Sequence, residues 1–194
     1  MFISTNPTPG NEAAFAAYID SQRAHWGFVP DYTGCFASSP DVATAWIALA
    51  SAVRTTMERR RFELVTIAAA RARGSAYCTA AHAKMLMTVG DEEPTLRELA
   101  RHPDGSCLSA VDAAVYRFAT RVATAPASVS QHDIDGLRSL GLADSDIADI
   151  GYAVGVRLFF ATVLDALGAR LDPELVADLD PELLAFVRGS AAAL

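Results

Sequence analysis

A chain of 194 residues, 52% apolar and 20% charged, is long enough to bury one sizeable core and has a folded protein's composition. Its net charge of −7 and pI near 5.0 exclude a nucleic-acid binder, because no basic stripe is left to neutralise phosphates. No apolar run approaches the ~20 residues of a bilayer span, so no membrane is expected as a partner.

The N-terminus, MFISTNPTPGNEA, has neither the basic nor the apolar region of a signal peptide. Three widely spaced cysteines, Cys35, Cys78 and Cys107, make no even disulfide framework, so a reducing cytoplasm is the expected compartment. Helical periodicity dominates and no alternating strand stands out; an all-α fold is predicted. A first helix runs from Asn11 to about His25 through Phe15, Tyr18 and Ile19, and WGFVPDYTGCF breaks it as a loop. Ser38-Ser39-Pro40-Asp41 then combines a serine cap, proline at the first helical position and an acid in the first turn.

The helix it opens carries Val42, Trp46, Ile47, Leu49 and Val53. The next spans about Met57 to Arg73 with Phe62, Val65 and Ile67 inside. Its triplet Arg59-Arg60-Arg61 and its Arg71 read as a solvated face. Gly74 reads as its left-handed terminus and Ser75 as the N-cap of a new helix reaching about Val89. After GDEEP comes a short helix around Thr95–Ala100, then the polar HPDGSC turn.

Leu108 to Ala123 is helical, and Ser130 caps a short helix ending near Gly141. Asp144 opens a long helix through Ile147, Val154 and Leu158 to Gly168, apolar nearly all round, which suggests a chain centre or a subunit interface. Asp172-Pro173 and Asp180-Pro181 each read as a cap followed by proline, giving two short terminal helices. Each half thus holds one long buried helix, as two pseudo-equivalent helical units would.

The stretch GSAYCTAAH, residues 74–82, carries the chemistry. With Ser75 as N-cap, Cys78 falls in the first turn, where free N–H groups and the helix dipole favour a thiolate, the nucleophilic form of a thiol. His82 lies one turn further on the same face, within reach of the thiol proton. Glu63, on the preceding helix, folds back through the Gly74 turn to orient the imidazole. Tyr77 reads equally as a pocket wall or a packed aromatic, and Trp26 and Trp46 read as core. His25, His102 and His132 share no ligand spacing, so no metal is expected, and no phosphate loop or nucleophile elbow implies another cofactor.

Glu63, Cys78 and His82, set in FELVTIAAARARGSAYCTAAHAKML, resemble the signature of the alkylhydroperoxidase AhpD and carboxymuconolactone decarboxylase superfamily. The early WGFVPDY and the late GLADSDIADIGYAVGVRLFFATVLDALG resemble its peroxidase-related members, so the likeness runs from about residue 10 to 175. It implies one AhpD-like helical domain over 1–194, with a decarboxylase-type core at about 40–125 and a C-terminal helical part at about 126–194. It also implies homo-oligomers: trimers or hexamers, with a dimer as the smaller alternative. In such peroxidases Cys78 attacks a hydroperoxide, with His82 and Glu63 as proton relay.

The family's first cysteine then closes a disulfide, which a lipoyl-type dithiol or another thiol reduces. Ser75 stands in its place, so the local resolving step is missing. An external thiol, Cys35, Cys107 or a neighbouring subunit's cysteine would have to take it over. Two alternatives follow: a carboxymuconolactone decarboxylase-like lyase acting on a lactone acid, for which no cation can be assigned, or a non-catalytic helical oligomer that senses oxidation through Cys78.

Overall fold

Local signals in the sequence are followed closely by the computed structural model, which describes residues 1–189. Nine α-helices occur among them: α1 (Glu12–Trp26), α2 (Pro40–Arg54), α3 (Arg59–Arg73), α4 (Ala76–Met87), α5 (Glu93–Arg101), α6 (Ala110–Thr124), α7 (Gln131–Ser139), α8 (Asp144–Leu167) and α9 (Pro181–Arg188). The described residues contain no strand. The fold is all-α, as the periodicity predicts.

α3 is the centre. Its residues from Phe62 to Ala70 are all buried, and the alanines at 68–70 leave the backbone free to be approached closely. α6, α4 and α8 pack around it, and α2 lies across α8. Leu64, Val65, Ile67, Ile150, Val154 and Leu164 are at or below 1% exposure and belong to one continuous core. Each such side chain stabilises the fold by about 1.5–3 kcal/mol through burial.

α8 does have the length and apolar composition of a membrane span, which corrects the sequence-based expectation. Half of its most apolar window is buried inside the protein, where it packs on α3, α6 and α2.

Three further expectations are corrected. The WGFVPDYTGCF loop contains a buried 3₁₀ helix, Asp31–Phe36, because Pro30 presets the extended entry and Phe36 and Cys35 have core to occupy. Asp172 is followed by only a 3₁₀ turn, Pro173–Leu175, and its carboxylate is drawn away to accept the Asp31 N–H at 3.1 Å. Asp180, by contrast, does cap α9, accepting the Leu183 N–H at 3.0 Å.

The arginine triplet is no solvated face either. Arg60 reaches Glu92 at 2.7 Å and Asp112 at 2.8 Å, tying the start of α3 to the start of α5 and of α6. Arg59 turns inward to Glu63, and Arg71 lies 3.9 Å over the Phe186 ring, holding α9.

Candidate functional site

Gly74 makes the site possible. At φ +77° it takes the left-handed conformation that glycine adopts without strain, and it reverses the chain between α3 and α4. Glu63 on α3 and His82 on α4 thereby meet, with His82 Nδ1 2.6 Å from Glu63 Oε2. Arg59 Nε donates to the other oxygen, Oε1, at 2.6 Å. Glu63 is 0% exposed, so having both oxygens engaged is what makes its charge tolerable there.

Burial pushes the Glu63 carboxyl up, but His82 and Arg59 outweigh it and leave the group below the ordinary carboxylate range. Burial also pushes His82 down, and the Arg157 charge adds to this against the pull of Glu63, leaving it below its ordinary value. The pair is therefore an ionised carboxylate and a neutral imidazole. Glu63 fixes the proton on Nδ1, which leaves the Nε2 lone pair as a base.

Both shifts run the same way with pH. The unfolded chain takes up its protons first as the medium acidifies, so each group's contribution to stability is present above its unfolded value and is lost on acidification. His82 loses its share first, below the ordinary histidine range, and Glu63 follows below the carboxylate range. Wild type should lose thermal stability between about pH 7 and about pH 5 more steeply than His82→Gln. Parallel melting curves for the two would contradict the neutral-imidazole assignment.

α8 contributes the residue the sequence reading missed. Arg157 is 6% exposed, and its Nη1 donates to Cys78 Sγ at 3.5 Å. The signal was present: between Asp149 and Asp165 it is the only charged residue of an otherwise apolar helix. An arginine so placed needs a buried partner. Cys78 itself is 1% exposed.

No hydrogen bond joins thiol and imidazole: the sulfur's polar partner is Arg157, while His82 Nδ1 is engaged by Glu63. Cys78 and His82 instead share a cavity of about 320 Å³. Trp26 and Trp46, read as core, line it together with Tyr32, Phe62, Tyr77 and Phe160.

Ser75 holds the N-cap position, but its hydroxyl makes no cap. It lies 3.2 Å from Asp165 Oδ1 on α8 rather than on the thiol. Tyr77 lines the cavity with its ring and donates its hydroxyl to Asp172, so it is both wall and packed aromatic. Neither Cys35 nor Cys107 lines the cavity. Cys35 is buried beside the Met1 sulfur, its thiol pushed up to about 11 by burial and by Asp31. Among the described residues, no three His, Cys, Asp or Glu side chains gather as a metal site.

The comparisons agree with this architecture. Residues 40–125 match the model of the carboxymuconolactone decarboxylase family. A structure described as the AhpD core of an uncharacterized peroxidase-related protein from Ralstonia eutropha JMP134 superposes with a TM-score of 0.75 at 24% identity, covering 89% of this chain and 94% of that one. An uncharacterized peroxidase-related protein from Silicibacter sp. TM1040 gives a TM-score of 0.76 at 20% identity, over 90% and 93% of the two chains. A cysteine-to-alanine form of the debrominase Bmp8, in complex with 2,3,4-tribromopyrrole, gives 0.75 at 16% identity over 94% and 98%. No curated protein sequence matches significantly. Over residues 40–125 the chain is thus similar to the carboxymuconolactone decarboxylase family, and it is built on the AhpD-like all-α fold.

Proposed function

We propose that the protein is a thiol-dependent oxidoreductase that reduces a small organic hydroperoxide at Cys78. The observation that carries this reading is a buried thiol with a guanidinium on its sulfur, sharing one cavity with a charge-fixed Glu63–His82 base. The Cys78 proton passes to His82 Nε2 through water, since no hydrogen bond joins the two side chains. The thiolate attacks the terminal peroxide oxygen, the O–O bond breaks, and the proton returns to the departing alkoxide. Products are the alcohol and a sulfenic acid on Cys78, with Arg157 countering negative charge on the sulfur throughout.

With Ser75 turned to Asp165 and no second cysteine in the cavity, resolution falls to an external thiol or lipoyl-type dithiol. It forms a mixed disulfide with loss of water, and a second thiol releases Cys78. Self-association belongs to the same reading. Val42 and Leu49 on α2, and Tyr152 and Phe159 on the adjoining α8, remain exposed as large apolar side chains that a second copy would cover.

The test is the intact mass of reduced protein after one equivalent of cumene hydroperoxide, with a sulfenic-acid trap present, run beside Cys78→Ser. Trapping in wild type and none in the variant is the expected result. Equal peroxide consumption by Cys78→Ser would overturn the assignment. A second reading, a decarboxylase-like lyase acting on a lactone acid, is favoured by Arg157, the buried cation that such a substrate's carboxylate would need. It gains if Cys78 stays unmodified for minutes while a carboxylate lactone is consumed.

A further inference from the structure

Arg157 has more donors than the protein uses. Nη1 serves Cys78 Sγ, yet Nε is buried and has no partner, in a residue 6% exposed that lines the cavity. A buried guanidinium N–H left empty is costly, and proteins normally satisfy it. The other charges leave the place open to an anion. Glu63 is the one carboxylate on the cavity wall, and both its oxygens are engaged. Arg54 adds a second guanidinium, and His25, facing the same space, is held below its ordinary value by burial and by Arg54 and Arg59.

Much of the remaining wall is aromatic, and the polar edges of its rings are already satisfied. Trp26 Nε1 donates to the Tyr32 hydroxyl at 3.0 Å, Tyr32 donates to Gln22, and Trp46 Nε1 donates to the Val156 carbonyl at 3.1 Å. Trp46 and Phe160 stack with centroids 4.0 Å apart, and the Arg157 guanidinium carbon lies 5.6 Å from each ring centroid. The aromatic part of the wall presents apolar ring surface with its own polar edges satisfied, which favours a flat ring there. A volume of about 320 Å³ sits at the small end of ligand pockets.

We propose that this cavity takes a single-ring aromatic carboxylate, its ring against the Trp46 side of the wall and its anionic oxygen on the Arg157 guanidinium. One guanidinium then holds the Cys78 sulfur and the carboxylate of the bound ring side by side. The inference rests on the reading of this cavity as the substrate site of Cys78, but its test needs no turnover.

Both tryptophans of the chain line the cavity, so their fluorescence reports occupancy. Benzoate, benzamide and cyclohexanecarboxylate would be titrated into wild type and Cys78→Ser. Benzoate should quench and saturate in both proteins, and each of the other two should bind about tenfold more weakly or worse, lacking the charge or the flat ring. Arg157→Gln should weaken benzoate to the level of benzamide while leaving benzamide unchanged. Because Arg157 is buried, Arg157→Lys serves as the folded control and should retain part of the preference for benzoate.

Equal binding of benzoate and benzamide, equal binding of benzoate and cyclohexanecarboxylate, or no saturable binding would each overturn the proposal. If Cys78 is trapped after peroxide yet benzoate does not bind, this inference falls and the thiol reading stands. If benzoate binds through Arg157 while Cys78 stays inert, the reverse holds.

Discussion

Glu63→Gln should keep the fold and lose the chemistry. Arg59 presents only donors to position 63, so it will claim the amide oxygen of an introduced glutamine. The NH₂ group is then left facing His82 Nδ1, where the carboxylate now accepts. To receive that donor the imidazole must move its proton from Nδ1 to Nε2, and the base in the cavity disappears. The side chain is nearly isosteric and both hydrogen bonds survive, the one to His82 in reversed sense, so stability should fall by only about 1 kcal/mol.

The rate of Cys78 sulfenylation should fall by about 10²–10⁴-fold, the usual worth of a positioned general base. Stopped-flow trapping at matched protein concentrations, alongside melting curves, separates the two effects. A variant that melts normally and reacts at the wild-type rate would show that Glu63 serves packing alone.

How much of this arrangement the sequence discloses depends on whether a residue's role is local. The helix boundaries are local. Pro40 at the first turn of α2, Gly74 at the end of α3 and Gly168 at the end of α8 lie where backbone preference puts them. Glu63, Cys78 and His82 are linked by one tight turn, so their convergence can be read from spacing along two adjoining helices.

Arg157 cannot be found that way, because 79 residues separate it from the sulfur it contacts and only the packing of α8 brings them together. Its isolation in an apolar helix shows that it is buried but not with what. Ser75 marks the opposite error. Its type and position suit a cap, yet Asp165 arriving on α8 competes for the hydroxyl and takes it. Likewise the arginine triplet looks solvated until Glu92 and Asp112 are delivered by distant helices. Trp26 and Trp46 do pack on the core as their size suggests, but a cavity on their other side is a feature of three-dimensional packing that periodicity does not carry.

Ser75→Cys should convert the site from one that depends on an external thiol into one that resolves itself. Position 75 is the N-cap of α4 and Cys78 the third helical residue, so the two side chains leave the same turn. The introduced thiol would face a sulfenic acid at an effective concentration on the order of mM or above, against which a dilute monothiol cannot compete. The balanced step is attack on the Cys78 sulfenic sulfur, loss of water and closure of a disulfide.

The substitution also removes the hydroxyl from Asp165, whose carboxyl burial already pushes upward, at a cost of about 1 kcal/mol. The cysteine side chain, a weaker hydrogen-bonding group, is correspondingly freer to rotate toward the sulfur. After one equivalent of cumene hydroperoxide, the intact mass of the variant should fall by two hydrogens, whereas wild type should yield only trapped sulfenic acid. Turnover driven by a dithiol should then become independent of added monothiol. Persistent sulfenic acid in the variant would mean that the backbone keeps position 75 turned toward α8, and that regaining a cysteine there is not enough to complete the cycle.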